Sequence, residues 1–163
     1  MEYLGLIIGQ GQVHMDLTKL SAISSWKPPT SVKGIRSFLG FANFYHKFIP
    51  NYLNIVTPLT TLTHKDITWS LMPLHQRSFD ALKAIFATSP VLTILDISHP
   101  FHIMSDTSLL AASAVLMQKD TNGDPHPCAY FSKTFSPAKR NYDIYDRELL
   151  AVILALSEWK QYL

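Results

Sequence analysis

The chain has 163 residues, 47% hydrophobic and 16% charged, which suits one ordinary core or two small ones and excludes a disordered tail. Its formal charge of +2 is unevenly spread: residues 1–90 carry eight Lys and Arg against four acids, residues 91–163 six against eight, so the halves suggest two jobs, one toward a polyanion and one toward a cation. A single cysteine, Cys128, excludes an internal disulfide and fits an intracellular setting, cytoplasm or nucleus; the N-terminus does not read as a signal peptide, and no apolar run approaches a membrane span.

In chain order, "YLGLII" and "GQVHM", split by "GQG", predict a hairpin. Asp16 can cap a short helix, "LTKLSAISSW". "KPPTS" breaks the chain, and Thr30 or Ser31 can cap a long helix, "VKGIRSFLGFANFYHKFI", that Pro50 stops. "NYLNIVTPLTTLT" reads as helix with a kink or break at Pro58. "LHQRSFDALKAIFAT" is an amphipathic helix with Phe79, Leu82, Ile85 and Phe86 on one face. After Pro90 the pattern changes: "PVLTILD" is extended, and "HPFHIMS", "AASAVLMQ" and "PCAYFSKTF" are strands, the last two joined by the turn "DTNGDP". "SPAKRNYDIYD" leads into a helix, "RELLAVILALSEWKQYL", whose core stripe is expected to be Leu149, Val152, Ile153 and Leu156. The sequence stops inside that helical pattern without a cap, as a cut segment would. The expected fold class is α+β: a mainly helical module, a boundary near residue 90, then a three-stranded antiparallel sheet with a helix.

Two acids of the second half stand out. Asp106 ends the first of the three strands, and Glu148 shares a helix flank with Ala151 and Ala155, small residues that let a helix sit close to a sheet. Two such carboxylates would be half of a site holding two magnesium ions, roughly 3.5–4 Å apart, around a phosphodiester. The plainer readings are a turn-making Asp106 and a Glu148 favoured by the helix dipole; Asp143 and Asp146 suit caps or surface. In the first half Lys33, Arg36, Gly40, Asn43 and Lys47 follow a +3, +4, +3, +4 spacing that makes one helical stripe, able to meet phosphates or simply a solvated face with Gly40 serving packing. Most of Phe38, Phe41, Phe44, Tyr45 and Phe48 are expected in the core rather than stacked on bases. The seven histidines lack metal-ligand spacing.

"SVKGIRSFLGFANFYHKFIPNY", "PLTTLTHK" and "FDALKAIFATSPVL" resemble the segment after the polymerase palm in gypsy-type LTR-retrotransposon Pol polyproteins. "FHIMSDTSLLAASAVLMQ" and "HPCAYFSKTFSPAKRNYDIYDRELLAVILAL" resemble the start of the RNase H domain that follows it. The resemblance implies a palm end in residues 1–15, with a hairpin around Leu4 and Gly5 that helps hold the primer. It implies a thumb and connection in 16–90 that embrace the template–primer duplex, and the first part of a ribonuclease H fold in 91–163. It makes nucleic-acid phosphate the partner of the basic stripe, beside the rest of the polyprotein. Asp106 and Glu148 match the family's first catalytic Asp and its catalytic Glu, metal ligands (magnesium or manganese) for cleavage of RNA in an RNA–DNA hybrid.

Departures qualify those roles. The family's palm carboxylates and its third and fourth nuclease carboxylates are not in this sequence. The usual "TDAS" is "SDTS", and Ser113 stands where a Gly is usual. The expectation is a reverse transcriptase/RNase H fragment that does not polymerise or cleave alone; the alternatives are a nucleic-acid-binding remnant and a functionless relic.

Overall fold

The computed structural model describes residues 1–3 and 5–162. Leu4, named above for primer holding, lies outside them. Strands β1 (Glu2–Tyr3), β2 (Leu6–Gly9) and β3 (Gln12–Met15) form an antiparallel meander. Gly9 pairs with Gln12, leaving Gln10 (φ 52°) and Gly11 (φ 74°) as a two-residue turn with both centres left-handed, the geometry that follows the strands' twist.

Four helices follow. Asp16 caps α1 (Leu17–Ser24) by accepting the Thr18 N–H at 2.8 Å, and Ser31 caps α2 (Val32–Phe44) by accepting that of Gly34 at 3.1 Å. The helix expected to run to Ile49 instead ends at Phe44. Tyr45 leaves helical geometry (φ −100°, ψ 15°), and His46–Phe48 form a 3₁₀ turn. Pro50 holds Ile49 extended (φ −114°, ψ 114°), and the tightened turn delivers Tyr45, Phe48 and Ile49 to one core. α3 (Tyr52–Thr61) accommodates Pro58, and α4 (Pro73–Ala87) begins on a proline, where no N–H is missed. Phe38, Phe79, Leu82 and Phe86 are fully buried, the first two with ring centroids 4.5 Å apart. Phe44 is the expected core aromatic that stays exposed.

The segment after Pro90 forms β4 (Val91–Thr93), which pairs with β3 through Gln12–Thr93, Val13–Leu92 and His14–Val91. This strand therefore belongs to the first sheet, order β1-β2-β3-β4. The second sheet is β5 (Phe101–Thr107), β6 (Ala111–Lys119) and β7 (Pro125–Thr134), antiparallel and in that order. A short α5 (Pro137–Arg140) leads to α6 (Ile144–Glu158), capped by Asp143, which accepts the Asp146 N–H at 2.9 Å. The helix ends at Trp159 and tightens into a 3₁₀ turn.

The face by which α6 packs corrects the expected stripe. Ala151, Ala155 and Trp159 are buried among Ala112, Ala114, Leu116 and Phe135. Leu149, Val152, Ile153 and Leu156 are 60%, 39%, 50% and 40% exposed. The small side chains allow the helix to lie close across β5 and β6, which turns the bulky row outward. On the other side β7 meets the 3₁₀ turn and α3, and Ser108 Oγ donates to Asn54 Oδ1 at 3.0 Å, joining the helical layer to the sheet.

Candidate functional site

Asp106 lies near the end of β5, opposite Ser113, which lies opposite Ser132. Its Oδ1 accepts the Thr107 N–H at 2.8 Å. The turn after it is made by another residue: Ser108 Oγ accepts the N–H groups of Leu110 (3.2 Å) and Ala111 (3.1 Å). Turn formation therefore does not require the Asp106 carboxylate. Asp106 lines a groove of about 210 Å³ with Pro50, Asn51, Met104, Ser113 and Tyr130, where Asn51 takes left-handed backbone (φ 51°) to turn the chain into α3. Burial pushes the Tyr130 hydroxyl above its ordinary value.

Glu148 is the fifth residue of α6, past the first turn, where the helix dipole fades. It lies one turn N-terminal to Ala151 on the sheet-facing row. Ala151 and Ala155 cover the Ala112, Ala114 and Leu116 row of β6, whereas Asp106 belongs to the alternate row with Ser113. Asp106 thus lies on the strand row that α6 does not cover, and Glu148 does not line the Asp106 groove. Among the described residues no group of three or more His, Cys, Asp or Glu could hold a metal ion. Two carboxylates alone supply too few anionic ligands for a two-metal centre, and no chemical step is derived through one.

The basic stripe fares differently. Lys33, Arg36, Gly40, Asn43 and Lys47 are all exposed. Arg36 Nη2 donates to Thr63 O at 3.0 Å, which ties α2 to the end of α3 and fixes its guanidinium. A Cβ on Gly40 would meet nothing within 4 Å, so packing does not explain that glycine. Lys47 sits in the 3₁₀ turn, beyond the helix that was expected to carry it. Among the described residues the ion pairs are His99–Asp96 and His126–Asp120; no Lys or Arg is within salt-bridge distance of a carboxylate, so the stripe's charge faces solvent.

Sequence reasoning missed the anchoring of the loop before β5. Gln118, 6% exposed, accepts the Asp96 N–H at 2.8 Å and donates to Asp96 O (2.7 Å) and His99 O (3.1 Å). The signal was a lone amide at the end of the apolar strand "AASAVLMQ". Beside it, the Ser98 hydroxyl holds Asp96 below the ordinary carboxylate range, and the Asp124 N–H does the same for Asp120.

The profile of a family described as an RNase H-like domain found in reverse transcriptase matches residues 71–163. The chain belongs to this family. Among curated relatives, the RNase H-like chain is 36% identical over 174 residues to the retrovirus-related Pol polyprotein from transposon opus of Drosophila melanogaster, covering all of this chain and 17% of the relative. It is 35% identical over 144 residues to the transposon Tf2-3 polyprotein of Schizosaccharomyces pombe, covering 88% of this chain and 11% of that one. The sequence therefore matches the reverse transcriptase/RNase H region of retrotransposon Pol polyproteins and spans a small part of their length. Its fold is that of a foamy viral protease–reverse transcriptase solved with double-stranded DNA (TM-score 0.82, 21% identity, 99% of this chain and 28% of that one). The same fold recurs in a foamy viral protease–reverse transcriptase solved with an RNA/DNA hybrid (TM-score 0.79, 23% identity, 97% of this chain and 21% of that one). No helix among the described residues is long and apolar enough to cross a membrane.

Proposed function

We propose that this chain is a segment of a gypsy-type LTR-retrotransposon Pol whose task is to hold nucleic acid beside the parent's reverse transcriptase and RNase H activities. Residues 1–15 are read as the end of the palm, 16–90 as thumb and connection, and 91–163 as the first part of the RNase H domain. The observation that carries the binding role is the exposed stripe Lys33, Arg36, Gly40, Asn43 and Lys47, whose cations are within salt-bridge distance of no carboxylate among the described residues. The relatives solved with double-stranded DNA and RNA/DNA hybrid support a duplex as its partner. Asp106 and Glu148 are assigned as the parent's first Asp and its Glu, ligands for magnesium or manganese once further carboxylates complete the set. This chain alone binds hybrid and does not cut it.

Fluorescence anisotropy of a labelled RNA–DNA hybrid against salt tests the reading. Replacing Lys33, Arg36 and Lys47 together by Ala should lower the log–log salt slope by about 2 to 3, near 0.9 for each phosphate that is no longer neutralised. An unchanged slope refutes the stripe. Hybrid cleavage in magnesium or manganese that disappears in Glu148→Ala refutes the claim of inactivity.

A further inference from the structure

We propose that residues 94–100, which carry the chain from the first sheet to the second, form a latch closed by protons on His99 and His126. The loop is tied to the first sheet at its start, where the Ile94 N–H donates to Gly11 O at 2.8 Å. It is tied to the second sheet in its middle, where the Gln118 amide meets Asp96 and His99.

Two imidazole–carboxylate pairs flank that amide. In the loop, the Ser98 hydroxyl donates to Asp96 Oδ1 at 2.7 Å, which leaves Asp96 Oδ2 for His99 Nδ1 at 2.9 Å. On the sheet, Asp120 Oδ1 accepts the N–H groups of Asn122 (2.8 Å) and Asp124 (2.9 Å), which leaves Oδ2 for His126 Nε2 at 3.2 Å. In both pairs the ring nitrogen donates, because an ionised carboxylate only accepts. His126 stands opposite Gln118 in the register of β6 and β7, and both pairs line one groove of about 500 Å³.

The groove holds one carboxylate on its loop side and one on its sheet side. Its charged and titratable groups are Asp96 and His99 from the loop, Lys119 and Asp120 from the end of β6, and His126 from β7; Thr93 and Ile94 bring none. With neutral imidazoles, two negative charges share the groove with Lys119 alone, and Asp96 repels Asp120 across it. Protonation gives each carboxylate its own cation and makes each pair a charge-assisted hydrogen bond. The Ser98 hydroxyl holds Asp96 below the ordinary carboxylate range and the Asp124 N–H does so for Asp120, so both acids stay charged where imidazoles titrate. At still lower pH the acids are neutralised, the cations remain, and the latch opens again. The loop is therefore held most firmly between the carboxylate and imidazole titrations.

The test is hydrogen exchange of the whole chain, read at the Asp96 N–H that Gln118 accepts, corrected for the intrinsic rate and referred to the amides of β6. Protection at Asp96 is expected to fall about two- to fivefold relative to β6 between about pH 5.5 and about pH 8, the scale of partly exposed ion pairs. His99→Gln combined with His126→Gln keeps a donor at each position and removes the charge, so it should flatten that fall. His99→Gln alone should remove part of it, and the β6 amides report that each variant is folded. A wild-type ratio that does not change over this range, an Asp96 amide without protection at either pH, or a fall that persists in the double variant overturns the proposal.

Discussion

The packing face of α6 can be tested by enlarging the residue that touches the sheet and polarising one that does not. Ala155 is fully buried against Ala114 and Leu116, where α6 crosses the sheet. Ala155→Leu adds three carbons where no space exists, and such overpacking costs about 1–3 kcal/mol. A chain of this size loses about 2–4 °C of Tm per kcal/mol, so the expected fall is about 2–12 °C. Leu149→Gln keeps helix propensity and alters a side chain that is mostly in water, so its cost stays within about 0.5 kcal/mol and its shift within about 2 °C. Thermal melts followed by far-UV circular dichroism compare the two directly. If Leu149→Gln costs as much as Ala155→Leu, the bulky row is the packed one and the described face is wrong.

Three further outcomes follow from particular contacts. Gly5 has φ +79°, its carbonyl accepts from the Tyr45 hydroxyl at 3.1 Å, and a Cβ there would come within 3.0 Å of that oxygen. Gly5→Ala should cost about 1–2 kcal/mol of strain, and combining it with Tyr45→Phe, which removes the clashing oxygen, should cost less than the two changes added. Gln118→Leu leaves the Asp96 N–H and the His99 carbonyl without partners, while Asp96 O keeps the His99 N–H, so a loss of about 1–3 kcal/mol and faster amide exchange at Asp96 are expected. Asp16, Asp96 and Asp120 all titrate below the ordinary 3.8, held by hydrogen bonds from Thr18, Ser98 and Asp124 respectively. Each contributes stability that is present above 3.8 and lost as pH falls through the depressed folded values; Tm should drop on that acid limb, and Asp120→Asn should make the drop shallower.

Features set by neighbouring residues were legible in the sequence. Asp16, Ser31 and Asp143 cap the helices they precede, because a cap is a contact between residues two or three apart. The amphipathic α4 and the order of β5, β6 and β7 were legible for the same reason. What escaped is set by distant partners. The sequence around Val91 reads as a strand, yet only the fold decides that it pairs with Val13 and its neighbours rather than with β5. Apolar periodicity finds a bulky stripe on α6 but does not measure how near the sheet stands, and a close sheet selects Ala151 and Ala155. Asp106 and Glu148 were both found as candidates, but the register that sets Asp106 opposite Ser113, on the row α6 does not cover, was not contained in the sequence.

That same alanine face bears on the candidate site. Glu148 precedes Ala151 by three residues and Ala155 by seven, so it continues their row about one helical turn toward the N-terminus. Wherever α6 presses on the sheet through those alanines, Glu148 is carried to the rim of the sheet beside the end of β5. With Leu149 and Val152 as the packed face, the helix would rotate and Glu148 would leave that rim. The buried alanines thus set the position of the carboxylate as well as the spacing of the layers. Ala151→Leu should therefore displace Glu148 in addition to lowering Tm, whereas Ala151→Gly should loosen the helix and leave Glu148 in place. Fluorescence from a probe attached at Glu148→Cys would separate the two, shifting with Ala151→Leu and not with Ala151→Gly. A probe that ignores both variants would mean that the N-terminal turn of α6 is set by Asp143 and its cap rather than by the alanine contact.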